Sequence, residues 1–251
     1  MEKKNLCVAF STQKGGAGKT TLTVLAASYL HYVRGYDVAV VDCDFPQHSI
    51  IDMRERDLRM VENDDYYKAQ AYEQFTRLNK KMYPIIKSLP ENGHEVAQML
   101  IEKNMYDYIF FDLPGTVNNG GVIRTLTEMD YIFSPISADR VVLESTLRFA
   151  VVINEVLMTT EKNRIKGLHL LWNLVDGREK SELYEVYEQV IRELNLSVLK
   201  TFLPDSKRFR RELPVSHKAL FRSTVFPADK TLLKGSNLDI LVDEILEIIN
   251  S

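Results

Sequence analysis

The chain has 251 residues, 45% of them hydrophobic and 27% charged, with 32 basic against 35 acidic side chains and a formal net charge of −3. That composition excludes collagen-like, low-complexity and disordered classes, and it argues against a globally basic nucleic-acid binder while allowing a local basic patch. Its apolar runs fall well short of the ~18–20 residues that a membrane-spanning helix requires.

The opening stretch MEKKNLCVAFS runs from charge into an apolar strand pattern with no cleavage site, so no signal peptide is read there. Cys7 and Cys43 stand in no disulfide or metal-ligand spacing. The expectation is a cytoplasmic protein with reduced, buried thiols. No repeat and no Gly/Ser/Pro linker divides the chain, which reads as one domain over residues 1–251.

In chain order, the first apolar run is Leu6–Phe10, followed by a glycine-rich turn and a helical pattern over Thr20–Arg34, with Gly35 at the C-cap position. A second run, Val38–Val41, leads into Asp42-Cys43-Asp44-Phe45-Pro46-Gln47. Met53–Leu78 is charged, carries Tyr66, Tyr67 and Tyr72, and reads as helical; Tyr83–Lys87 is a candidate strand and Glu95–Lys103 a candidate helix. Tyr108–Phe111 ends in Asp112-Leu113-Pro114-Gly115. Strands over Tyr131–Ile136, Leu168–Leu174 and Val198–Leu203 alternate with helices over Leu143–Thr159, Glu182–Leu194 and Leu238–Asn250. Continuous hydrophobicity marks strands covered on both faces, and strand–helix alternation predicts an α/β fold with a doubly wound, mostly parallel sheet flanked by helices.

The strongest motif is Gln13-Lys14-Gly15-Gly16-Ala17-Gly18-Lys19-Thr20-Thr21, placed between the first strand and the first helix. Glycines let backbone N–H groups converge on phosphate oxygens, and a helix N-terminus adds partial positive charge. Gly15, Gly16, Ala17, Gly18 and Thr21 are therefore predicted to cradle phosphates. Lys19 would reach the β- and γ-phosphates, and the Thr20 hydroxyl would coordinate Mg²⁺. The usual G-x-x-x-x-G-K-[ST] pattern departs at its first position, where Gln13 replaces glycine, and Lys14 is added within K-G-G-x-G-K-T. Asp112, at the end of a buried strand, is the candidate metal-shell carboxylate. Asp42 and Asp44 emerge at the same sheet edge, and Asp42 is a further metal candidate.

On these residues the chain resembles the ParA/MinD family of deviant Walker A ATPases, and within it the ParA-like TraA proteins encoded by Bacteroides-type conjugative transposons. The resemblance rests on K-G-G-A-G-K-T, D-C-D-F-P-Q, D-L-P-G and Pro135-Ile136, and spans nearly the whole chain. It implies an ATP-driven homodimer reset by slow Mg²⁺-dependent hydrolysis to ADP, serving DNA partition or conjugative transfer with an unidentified activating partner. It also implies that Lys14 reaches the partner subunit's phosphates, that Gly15 permits close approach of subunits, and that Asp44 places or activates the attacking water. Asn173, Pro204 and Asp205 fall where family members contact the base. Two departures stand out: Phe45 is inserted in the usual D-x-D-P-Q, and glycine follows Pro114 where a second proline is usual.

Lys200, Lys207, Arg208, Arg210, Arg211, Lys218 and Arg222 form the one dense basic stretch. Phosphate-backbone binding needs such a cluster, so Lys207, Arg208, Arg210 and Arg211 are candidates for non-specific DNA contact. The P-loop strand opens the chain, which leaves no expected helix-turn-helix for operator reading. The amphipathic Asn237–Ser251 is acidic on its polar face, which argues against a membrane-surface helix. A metabolic ATP-dependent enzyme, such as a small carboxylase or amidoligase, is the alternative; no substrate pocket for it is identifiable in Met53–Leu78. An iron–sulfur donor lacks its cysteine pair, and a tyrosine kinase relative would need a C-terminal tyrosine cluster, whereas the last tyrosine is Tyr187.

Overall fold

Short β-branched and aromatic runs, apolar at every position, can be buried only in the middle of a layered fold. In the computed structural model, which describes residues 3–115, 120–157, 159, 163–178, 181–212 and 217–250, they form β1 (Leu6–Phe10), β2 (Val38–Asp42), β3 (Ile85–Lys87), β4 (Tyr108–Asp112), β5 (Tyr131–Ile136), β6 (Gly167–Trp172) and β7 (Ser197–Val198). The strands build one seven-stranded parallel sheet in the order β3-β2-β4-β1-β5-β6-β7. The helices are α1 (Lys19–Tyr32), α2 (Ser49–Asn63), α3 (Asp65–Leu78), α4 (Gly93–Lys103), α5 (Gly120–Leu126), α6 (Arg140–Val152), α7 (Ser181–Glu193), α8 (Lys230–Leu233) and α9 (Leu238–Asn250).

Strand alternation sorts the core into two layers. Leu6, Val8, Phe10, Val40 and Phe110 face α1, α9 and the start of α2, and the Phe10 and Phe110 rings stack at 6.2 Å. Cys7, Ala9, Ala39, Val41 and Phe111 face the opposite layer, with Ala97 of α4, Val122 of α5, Leu147 of α6 and Ile191 of α7. Helix α1 is apolar on nearly every side and is correspondingly buried along its length. Gly35 adopts φ +78° just beyond its end, as a helix-terminating glycine does.

The parallel sheet meets the sequence expectation, and several boundaries differ from it. Met53–Leu78 is two helices, broken where the Asp64 carboxylate caps α3 by accepting from the Tyr66 N–H. The strand expected at Val198–Leu203 shrinks to Ser197–Val198, because Glu244 on α9 accepts the Lys200 and Thr201 N–H groups at 2.7 and 2.8 Å. Leu168–Leu174 stops as a strand at Trp172, and Leu174 takes φ +58°. Helix α6 ends at Val152 in a π-turn over Ile153–Leu157, short of the expected Thr159. Helix α5, short and opened by two glycines, carries no periodic signal in the sequence.

Residues 221–226 return to the sheet layer through a buried carboxylate. Asp57 of α2 is fully buried, and its Oδ2 accepts from Ser223 Oγ at 2.9 Å, the Thr224 N–H at 2.8 Å and Thr224 Oγ1 at 3.0 Å. Asp57→Ala would leave those donors buried and unpaired, with an expected loss of about 3 kcal/mol in urea denaturation; a change within measurement error would show that residues 223–224 do not depend on this anchor. Both cysteines are fully buried, and burial pushes each thiol up to about 12. Ellman's reagent should find no reactive thiol in the native chain and both in guanidinium.

Candidate nucleotide site

Three strands deliver their C-terminal ends to one edge of the sheet. β1 lies between β4 and β5, where the chain order reverses, and β2 and β4 end in register with Asp42 opposite Asp112. Open parallel sheets place ligands at such a switch point.

The loop leaving β1 turns through Gly16 (φ +80°) and Gly18 (φ +90°), conformations that strain other residues, and enters α1 at Lys19. A Cβ at Gly18 would also lie 2.6 Å from the Asn173 amide nitrogen. The loop forms the floor of a cleft of about 600 Å³. Gly15, Gly16, Gly18, Lys19, Thr20 and Thr21 line it from one side, and Asp44, Phe45, Pro114 and Gly115 from the other. Ala17 is buried beneath the loop.

Lys19 is buried, and its ammonium donates to the Lys14 carbonyl at 3.0 Å. Burial lowers its pKa, opposed by the Asp112 and Asp44 charges. Asp112 accepts from Thr20 Oγ1 at 2.8 Å on Oδ2, while its Oδ1 is buried with no hydrogen-bond partner. Burial is the largest cause pushing the Asp112 carboxyl up to about 7; the Thr20 bond and Lys19 oppose it, and Asp42 and Asp44 add to it. A buried oxygen without a partner, beside a threonine hydroxyl and two further carboxylates, fits a hydrated divalent cation held by Thr20 and Asp112.

Asp42 does not share that role. It is fully buried, its Oδ2 accepts from the Ile50 and Ile51 N–H groups at 3.0 Å each, and its Oδ1 accepts from the Asp44 N–H at 3.2 Å. Those bonds anchor the α2 N-terminus on Asp42 and engage both of its carboxylate oxygens within the chain, unlike Asp112, which the sequence also offered as a metal ligand. Asp44, two residues on, is half-buried on the cleft wall, where burial raises its pKa and the Lys19 charge lowers it. Phe45, the inserted residue, is 56% exposed at the cleft rim with its ring edge-on to His48. Lys14 is exposed on the outer side of the loop, at a recess shared with Val141, Glu144 and Arg148 of α6.

The base-contact candidates are placed differently. Asn173 is buried and donates its amide to the Ala17 carbonyl at 2.8 Å, bracing the loop from behind. Pro204 pairs with Val175, and the Asp205 N–H donates to the Val175 carbonyl at 2.8 Å, so both run beside the segment that follows Asn173. None of the three lines the phosphate cleft itself.

Within the basic stretch, Lys207–Arg210 forms a short 3₁₀ turn, with Lys207, Arg210 and Arg211 exposed. Arg208 differs from the sequence expectation: its Nη1 donates to the Leu232 and Lys234 carbonyls at 2.8 and 2.7 Å, closing the end of α8. Its Nε also donates to Ser206 Oγ at 3.1 Å, so two of its three nitrogens are engaged within the chain.

Two contributors escaped the sequence. A Cβ at Gly115 would meet Lys19 Nζ at 3.1 Å and the Gly15 nitrogen at 3.2 Å, so the chain passes close to the loop at this glycine. Arg222, counted only among surface cations, donates to Thr21 Oγ1. Chain separation hides both contacts.

The CobQ/CobB/MinD/ParA nucleotide-binding domain family matches residues 8–217. A curated relative, an uncharacterized protein of Borreliella burgdorferi, is 24% identical over 92% of this chain and 96% of its own. Among solved structures, the MinC:MinD cell division complex of Aquifex aeolicus aligns at TM-score 0.62 and 14% identity, covering 98% of this chain and 96% of that one. A putative plasmid partition protein of Borrelia burgdorferi bound to AMPPNP aligns at TM-score 0.58 and 18% identity, covering 97% and 98%. The likeness to the solved structures is one of fold, and the domain match, over more than half of the residues, establishes the rest: the chain belongs to the CobQ/CobB/MinD/ParA nucleotide-binding family.

Proposed function

We propose that this chain is a ParA-type ATPase in which ATP binding drives homodimerisation and slow Mg²⁺-dependent hydrolysis reverses it. Its proposed task is DNA partition or conjugative transfer of a mobile element. The observation that carries the reading is the division of labour between two lysines on one loop. Lys19 is buried and turned into the cleft, whereas Lys14 is exposed on the outside of the same loop, and no hydrogen bond or ion pair of its side chain is present among the described residues.

A triphosphate has more negative charge than one lysine offsets, and a cation supplied by a second subunit stabilises the γ-phosphate only when that phosphate is there. Dimerisation then reports the nucleotide state. Asp44, on the cleft wall, is positioned to orient or deprotonate a water. Mg²⁺, when bound, supplies charge neutralisation across the phosphates, and Thr20 and Asp112 would hold it. Lys207, Arg210 and Arg211 are the proposed contacts to non-specific DNA, each dimer presenting two sets.

A specific observation favours a second reading. A polar cleft of about 640 Å³ adjoins the phosphate site through Thr20 and Ser49, lined by Asp52, Arg56, Arg59 and Arg222 among others. A small polar substrate there would make the chain a metabolic ATP-dependent enzyme of the same family.

Lys19→Ala should abolish nucleotide binding. Lys14→Ala should keep binding yet stay monomeric in ATP by light scattering, and normal dimers of that variant would refute the role given to Lys14. Asp44→Ala should lower hydrolysis by roughly 100-fold and prolong the ATP dimer; normal turnover would remove Asp44 from the reaction. Fluorescence anisotropy on duplex DNA at one fixed salt should show binding in Mg-ATP and little in Mg-ADP, lost on charge reversal of Arg210 and Arg211. Binding that survives the reversal would place the DNA surface elsewhere.

A further inference from the structure

Thr21 is the third residue of α1 and lines the phosphate cleft. Its hydroxyl oxygen accepts a 2.6 Å hydrogen bond from Arg222 Nη1, 201 positions along the chain. A guanidinium only donates, so the direction of this bond is unambiguous. With the acceptor side of Thr21 occupied by Arg222, its one proton must point away from the guanidinium.

Arg222 is held from several sides. Its Nη2 pairs with the Glu212 carboxylate, and Glu212 pairs in turn with Arg56 of α2. The Phe221 and Arg222 N–H groups both donate to the Arg211 carbonyl, at 2.9 and 2.8 Å. Asp57 fixes the next two residues, Ser223 and Thr224. Beside the buried Phe209 and the Arg208 bonds to the end of α8, the segment that presents Lys207, Arg210 and Arg211 is linked to α1 through one charged donor, on the residue next to Thr20.

We propose that Arg222 is a positioning residue of the phosphate site: it holds the Thr21 hydroxyl as a donor toward a bound nucleotide's phosphate oxygens and couples nucleotide binding to the docking of residues 207–212. This rests on the reading of the cleft as a nucleotide site. A chain running from guanidinium through hydroxyl to phosphate polarises each bond in the same direction, so each strengthens the other. Linkage makes the effect reciprocal: nucleotide tightens the hold on the basic segment, and a docked segment tightens nucleotide binding.

The test is a double-mutant cycle on the full chain, with Mg-ADP carrying a fluorescent ribose label as the probe and apo melting curves as the control for folding. R222Q and T21V should each weaken binding roughly tenfold, and the double variant should be no weaker than about tenfold, because both remove one chain of bonds. R222K keeps the charge but cannot reach Thr21 and Glu212 together, and should fall between wild type and R222Q. In hydrogen exchange, Mg-ADP should raise protection of the Phe221 and Arg222 amides in wild type and not in T21V, a readout that stands even if R222Q fails to fold.

Wild-type binding with R222Q unaffected, additive losses, or equal protection in T21V would each overturn the proposal while leaving the nucleotide reading intact. No binding by wild type would remove that reading, and the proposal with it.

Discussion

A buried carboxylate with one oxygen unsatisfied sets the terms for the rest of this site. Asp112 is buried where it lies, and its neighbours are the further carboxylates Asp42 and Asp44. Within the chain, Thr20 supplies one hydrogen bond and Lys19 a nearby charge, which leaves the second oxygen uncompensated. Leaving a polar atom in that state costs about 1–3 kcal/mol. In the nucleotide reading proposed above, a cation held by Thr20 and Asp112 would compensate that oxygen, and binding would stabilise the fold accordingly. The sheet topology brings the carboxylates together: β2 and β4 are adjacent and parallel, and both end in aspartate at the same level.

Close approach is the second constraint. Lys19 has to be buried to reach into the cleft, and the backbone around it has to leave room. Gly18 lies against Asn173 and Gly115 against Lys19 and Gly15, each at a distance that a side chain would close. Burial lowers the pKa of Lys19, and the charges of Asp112 and Asp44 across the cleft act the other way. A loop of this kind is assembled from what surrounds it as much as from its own sequence.

Legibility followed the range of each signal. Strand cores, the P-loop and the helix after it depend on neighbours a few residues away, so periodicity and the K-G-G-A-G-K-T string were sufficient. Period two also brought Asp42 and Asp44 to one edge, but it could not tell a ligand from a helix anchor. That distinction depends on where Ile50 and Ile51 return, eight and nine residues beyond Asp42 at the strand's end. Arg208 and Arg210 are indistinguishable by composition, and only the path of α8 shows that one is clamped while the other is exposed. The lost length of β7 has the same origin, since the carboxylate of Glu244 arrives from the last helix.

Bracing of the loop is uneven, and the unevenness bears on function. Its second half is gripped from both sides: Asn173 holds the Ala17 carbonyl, Arg222 holds Thr21, and Thr20 is fixed to Asp112. Gln13 to Gly16 have no comparable clamp among the described side chains, apart from the Lys19 ammonium on the Lys14 carbonyl. That one bond connects the halves. In the nucleotide reading proposed above, a phosphate would compete for the Lys19 ammonium, and a weaker bond to the Lys14 carbonyl would loosen the backbone that carries Lys14. The rigid half would therefore bind while the looser half answers, which couples occupancy of the cleft to the exposed cation on the opposite side of the loop through a single shared donor.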